Sequence, residues 1–267
     1  MPKSIANRVL KPRCTRTLTI ARYTLLEAWR NRFGLLLVGM VVAAVLASMF
    51  VRQQAITESA RVQVAVLAAT LRLGAVFIIA ITVLQGSVRE FHDKVLELML
   101  SLDLPRSSYL AGKFLGYAFL GVACTTVASL PLLLQSDPQN VLLWAYTLLL
   151  ELWLVTAFAM LCITTFSQLA SAATSVLAFY FLARSITAIQ LISQSTLAEP
   201  GLATNFAAFL ADAIALVLPP LDAFTQTAWL IDAPASALSM PGATVQTAVY
   251  VTLLLAAAMF DLHRRNF

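Results

Sequence analysis

The sequence predicts an all-α membrane protein with six transmembrane helices, an amino-terminal amphipathic helix at the membrane surface and a second amphipathic helix between the second and third spans. Three observations predict it. Hydrophobic residues make up 60% of the 267 and charged residues 12%, with a mean hydropathy of +0.83. That is too little charge to cover the apolar side chains of a water-soluble fold, so lipid must solvate most of them. Six segments approach or exceed the ~20 mostly apolar residues that cross the hydrocarbon layer. None shows the alternation of a barrel strand, and at that depth only a helix satisfies its own backbone. The same composition excludes intrinsic disorder.

Residues 17–32 read as the surface helix. Leu18, Ala21, Leu25, Leu26 and Trp29 take one side, and Arg16, Glu27 and Arg30 the other. Arg22 falls on the apolar side, from which it snorkels to the headgroups, and Ile20 and Tyr23 fall on the polar one. The first 32 residues are polar and the apolar run after them is 19 long, longer than a signal-peptide core, so no cleavable signal is expected. The spans follow at 33–51, 62–88, 110–134, 141–166, 169–192 and 243–260. The connection 193–242 carries a fourteen-residue apolar stretch, Asn205 to Leu218, stopped by Pro219 and Pro220. It is too short to span and reads as an interfacial or re-entrant helix.

Lys and Arg number 18, and 14 fall on one side of this topology: eight in the amino-terminal 32 residues, four from Arg89 to Lys113 and two in the tail. The other side holds Arg52 and Arg61, and Arg72 and Arg184 lie within spans. Short basic loops stay in the cytoplasm, so both termini are expected there. The asymmetry accounts for the pI of about 9.4 without nucleic acid, for which no basic, aromatic-interleaved face exists.

The stretch from Arg89 to Lys113 is the most informative. Phe91, Val95, Leu98 and Leu102 line one helical face, while Glu90, Asp93, Lys94 and Glu97 take others. Asp103, Leu104 and Pro105 end the helix, predicted over 89–104, and Arg106 to Tyr109 lead to the next span through Gly112 and Lys113. A charged, turn-terminated helix between two spans either receives a push from a soluble partner or is an ordinary interfacial loop helix.

The run REFHDKVLELMLSLDLPRSSYLAGKFLG, Arg89 to Gly116, resembles the coupling-helix region of ABC type-2 exporter permeases: Arg-Glu, an amphipathic Leu-rich turn, Pro-x-Ser and Gly-Lys. ARYTLLEAWRNRF, Ala21 to Phe33, is similar to that family's elbow helix. LPPLDAFTQTAWL, Leu218 to Leu230, and the closing LHRRNF are similar to its nitrous-oxide-reductase maturation branch. The resemblance implies an ABC type-2 exporter transmembrane domain in the inner membrane, a homodimer or a heterodimer with a related permease. Two cytoplasmic ATPase subunits would hold ATP and Mg, no cofactor would bind this chain, and a periplasmic accessory protein would fit the family. Arg89, Glu90, Asp93, Lys94, Glu97, Asp103 and Arg106 would couple to the ATPase, although Asp103 stands where the family often has a small or apolar residue. No GxxxxGK[ST] phosphate loop is present, in agreement with ATP bound elsewhere.

Arg72, Glu151 and Arg184 interrupt the spans. Each costs about 2.5–3.5 kcal/mol if unpaired near the bilayer centre, so they must be paired or wetted. Counting from the outer ends of their spans puts all three about ten residues, roughly 15 Å, deep. They are expected to meet there, with Glu151 bridging both arginines or pairing with one while the other faces a cavity. Ionic glue between helices and a substrate pathway are both open; the polar stripe of Tyr180, Thr187 and Gln190 beside Arg184 suits a wetted pathway. Were the second span to start near Leu73, Arg72 would be an interfacial anchor.

Gly112 and Gly116 form a GxxxG, a helix-contact signal. Cys124 and Cys162 lie in apolar runs and read as small buried hydrophobes; no metal-ligand spacing exists, and the seven methionines do not cluster. An intramembrane enzyme is disfavoured because His92 and His263 lie outside the spans and no HExxH or GxSxG occurs. An ion- or proton-coupled secondary transporter using Glu151 is the alternative, though no inverted repeat is evident.

Overall fold

In the computed structural model all regular structure is helical over the described residues, which are 13–54, 59–92, 105–166, 168–193 and 240–264 with the single positions 219, 221 and 230. The helices are α1 (Arg13–Arg30), α2 (Phe33–Gln54), α3 (Ser59–His92), α4 (Arg106–Leu133), α5 (Pro138–Thr165), α6 (Leu169–Ser193) and α7 (Met240–Arg264). Six of them, α2 to α7, are long and apolar enough to cross a membrane. The all-helical, six-span reading therefore holds. The interfacial helix expected at 205–218 lies outside the described residues.

Helix α5 is the hub, packing on α3, α4, α6 and α7. It is apolar around its circumference, as a helix enclosed by others must be. Within its apolar stretch 78% of residues are buried, against 17% for α2 and 22% for α7, which form the rim. Outward-facing Leu35, Val38, Leu46 and Phe50 of α2 and Val245, Val249, Leu253 and Phe260 of α7 are exposed, the surface that lipid tails solvate. Cys124 and Cys162 are buried and unbridged, as small hydrophobes are.

Alternating helix directions gather the end of α3, the start of α4 and the ends of α5 and α7 at one end of the bundle. Two contacts tie it together. Arg106 Nη1 donates to the Leu262 carbonyl at 2.6 Å, placing a cation on the negative pole of α7. The Thr165 hydroxyl donates to Asp261 Oδ2 at 2.6 Å. Arg89, Arg106, Lys113 and Arg264 share this basic end.

Three boundaries differ from the sequence reading. Helix α3 runs unbroken to His92, so Arg89 and Glu90 lie in its final turns rather than opening a separate helix. Helix α4 begins at Arg106, directly after extended Pro105 (φ −64, ψ 130), which cannot continue a preceding helix. Lys113 is thus two turns inside α4, not in a loop. Helix α1 begins at Arg13 and turns Ile20, Ala21, Thr24 and Ala28 inward, leaving Leu18, Tyr23, Leu26 and Trp29 exposed. Ile20, assigned by periodicity to the polar side, is buried because the contact selects small and β-branched residues, not the most apolar arc. A Cβ on Gly112 would stand 2.8 Å from Ile20 Cβ, and one on Gly116 would stand 2.7 Å from Thr24 Cβ. The GxxxG of α4 is the seat of α1.

Candidate functional site

Two clusters of polar groups stand out, one deep in the bundle and one at its basic end. Along α5, Trp144, Thr147 and Glu151 recur at spacings of three and four, one face of a helix. Arg72 of α3 lies along that face. Its Nη1 donates to Glu151 Oε2 at 3.0 Å, its Nη2 to the Thr147 hydroxyl at 3.3 Å, and its guanidinium carbon is 5.3 Å from the centroid of the Trp144 ring. Thr147 passes its own proton to the Trp144 carbonyl at 2.9 Å. The two charged side chains are 2% and 0% exposed, so their attraction is unscreened by water. Arg72 lies well inside α3 and is buried.

Arg184 of α6 approaches the other carboxylate oxygen, Nη1 to Glu151 Oε1 at 4.0 Å, an ion-pair contact beyond hydrogen-bonding range. Its side chain is 28% exposed, so it forms the accessible edge of the cluster. Tyr180, one turn earlier and buried, lies within electrostatic reach of Glu151 and both arginines. The structure thus brings Arg72, Glu151, Arg184 and Tyr180 together. Thr187 and Gln190 lie on α6, their side chains outside those described. Arg72 Nε, Trp144 Nε1 and Glu151 Oε1 make no hydrogen bond to a described residue.

At the basic end, Glu90 is gripped from α4 by residues four apart. The Tyr109 hydroxyl donates to Glu90 Oε2, and Lys113 Nζ stands 2.5 Å from Glu90 Oε1. The lysine side chain is 3% exposed, sheltered between the rings of Tyr109 and Tyr117, whose centroids are 6.0 and 5.5 Å from Nζ. Arg89 points outward and donates to Asn31 Oδ1 at 3.3 Å. Of the residues read as coupling to an ATPase, Glu90 faces its own protein, Arg106 holds the end of α7, and Asp93, Lys94, Glu97 and Asp103 lie outside the described residues.

Sequence reasoning missed Lys113, Tyr109, Trp144 and Thr147 as partners. The i, i+4 spacing of Tyr109, Lys113 and Tyr117 was a usable signal: an aromatic-flanked lysine on a helix otherwise apolar needs a buried carboxylate. Among the described residues no group of three or more His, Cys, Asp or Glu could hold a metal ion.

Residues 51–219, from the last turn of α2 to Pro219 and more than half of the chain, match the family model described as ABC-2 family transporter protein. No curated protein sequence matches the chain. The match covers α3, α4, α5 and α6, and so both polar clusters. In this family the membrane subunit is non-catalytic and ATP is hydrolysed on a separate subunit, which displaces the secondary-transporter alternative. The chain therefore belongs to the ABC-2 family of transporters, as a multi-pass membrane component of the permease type.

Proposed function

We propose that this chain is one half of an exporter's membrane pore in the inner membrane, with both termini cytoplasmic and an ATPase subunit docked on the segment between Glu90 and Arg106. It pairs with a second copy or a related permease, so that two ATPases, each holding ATP and Mg, drive one pathway. The observation that carries this reading is the Glu90 grip. The segment 93–104 leaves α3 and returns to α4 between residues joined by a buried ion pair and a hydrogen bond. A force on it moves both helix ends as one body instead of being absorbed by their separation. Helix α4 carries α1 through the glycine seat, and α3 carries α5 through Arg72 and Glu151. Asp93, Lys94, Glu97 and Asp103 supply charge for the ATPase groove, while Arg89 turns to Asn31 and Arg106 to the end of α7.

Within the bundle, Arg72 and Glu151 serve as a packing pair fixing α3 against α5. Arg184, with Tyr180, Thr187 and Gln190 on the same helix, is the edge toward a pathway. The likeness of Leu218–Leu230 and of the closing LHRRNF to the nitrous-oxide-reductase maturation branch favours that branch, with a periplasmic accessory protein as a further partner. The test is co-expression with the ATPase encoded alongside. We expect a complex whose ATP hydrolysis and transport both depend on this chain, and single cysteines across 93–104 protected from labelling by the ATPase. Hydrolysis by the purified chain alone, or labelling of 93–104 from the periplasm, would overturn it.

A further inference from the structure

Helix α1 turns its small residues to α4 and leaves a face that neither the bundle nor the proposed coupling segment uses. Leu18, Tyr23, Leu26 and Trp29 are exposed by 64, 67, 49 and 67%. Two hollows run along this face and share Tyr23 and Leu26. One, of about 600 Å³, is lined by Tyr23, Leu26, Glu27, Arg30, Asn31 and Arg89. The other, of about 470 Å³, adds Leu18, Thr19 and Arg22. Apolar walls therefore continue into a wall of guanidinium, amide and phenol groups at the basic end.

Just beyond α1, Arg32 has φ 62. This left-handed turn conformation strains a side chain with a Cβ and is where Gly or Asn usually ends a helix. Within the two hollows Arg22, Arg30 and Arg89 supply three guanidinium groups against one carboxylate, Glu27.

We propose that this face of α1 binds an anionic phospholipid, its phosphate at Arg30 and Arg89 and its acyl chains along Leu26 and Leu18. The chemistry follows from the lining. A free phosphate would find no use for the Leu26–Leu18 wall, and a zwitterionic lipid would gain little from an arginine excess. The inference rests on the chain being embedded in a membrane and not on the ATPase reading, so the two fail separately.

The test uses the full chain in nanodiscs of equimolar phosphatidylglycerol and phosphatidylethanolamine, released for native mass spectrometry so that retained lipids are counted. The wild type is expected to retain phosphatidylglycerol preferentially. Each arginine near an anionic surface contributes about fivefold, so Arg22→Gln/Arg30→Gln lowers that preference by roughly 25-fold, and raised salt lowers it in the wild type. A Leu18→Ser/Leu26→Ser variant separates the sources: it weakens phospholipid retention while leaving any binding of inorganic phosphate untouched. Equal retention of the two lipids, an unchanged preference in the arginine variant, or competition by inorganic phosphate alone would overturn the proposal. So would an arginine variant that loses the ATPase subunit but keeps its lipids, since the face would then belong to the protein partner.

Discussion

Replacing Glu151 by leucine leaves the Arg72 guanidinium, 2% exposed, with the Thr147 hydroxyl at 3.3 Å and the Trp144 ring at 5.3 Å. Stranding a buried charge costs about 3–5 kcal/mol, and the contact to Thr147 recovers about 1, so Glu151→Leu is expected to destabilise by about 3 kcal/mol. The reverse change, Arg72→Met, strands a carboxylate that still has Arg184 at 4.0 Å. Its expected cost is smaller, about 2 kcal/mol. Putting both together replaces the pair by apolar side chains and leaves only Arg184 to readjust, so the double variant should cost about 2 rather than the sum of about 5, a coupling of about 3 kcal/mol. Unfolding of the purified chain in mixed micelles of rising denaturing-detergent fraction measures all three. Additive losses would refute the pairing, and an Arg184→Met loss above about 1 kcal/mol would make Arg184 the principal partner instead.

Lys113→Met and Glu90→Gln should each uncouple the complex, with ATP hydrolysis by the partner kept and transport in proteoliposomes lost; a loss of both in equal measure would speak for misassembly instead. Tyr109→Phe removes one hydrogen bond from Glu90 and should cost about 1 kcal/mol with partial coupling retained. A Cβ at Gly116 would lie 2.9 Å from the Ala21 carbonyl oxygen, so Gly116→Val lifts α1 off its seat. A loss of about 1–3 kcal/mol and earlier protease cleavage near residue 30 are expected, whereas an unchanged digest would place α1 elsewhere. Cys124 and Cys162 are 0 and 4% exposed and should resist a hydrophilic maleimide until the chain is unfolded, read by mass.

The spans were legible because one dimension suffices for them: an apolar run of given length fixes a helix and its ends within a few residues. Depth was legible too, since counting at about 1.5 Å per residue brings Arg72, Glu151 and Arg184 to a common level. Which of them touch depends on how α3 and α6 are rotated about their own axes, and a helix apolar on every side carries no signal for that. Rotation places Arg72 over Trp144 and Thr147 and holds Arg184 a further ångström from Glu151. The same limit hid Lys113, whose charge reads as a loop residue until α4 is seen to start at Arg106. In α1 the surface-seeking residues were plain, but the buried arc was chosen by Gly112 and Gly116, which belong to a helix far along the chain.

The partner that neutralises Arg72 is 79 residues further along, and this separation has a consequence for synthesis. At about 5–20 residues per second, Glu151 leaves the ribosome some 4–16 s after the arginine. For that interval α3 carries an unpaired cation, at a cost of about 2.5–3.5 kcal/mol near the bilayer centre. The nascent helix is correspondingly less stable in lipid until α5 arrives. The stability of the first half of this protein in the membrane is thereby tied to the second, and a chain truncated before α5 should be cleared faster than the full chain.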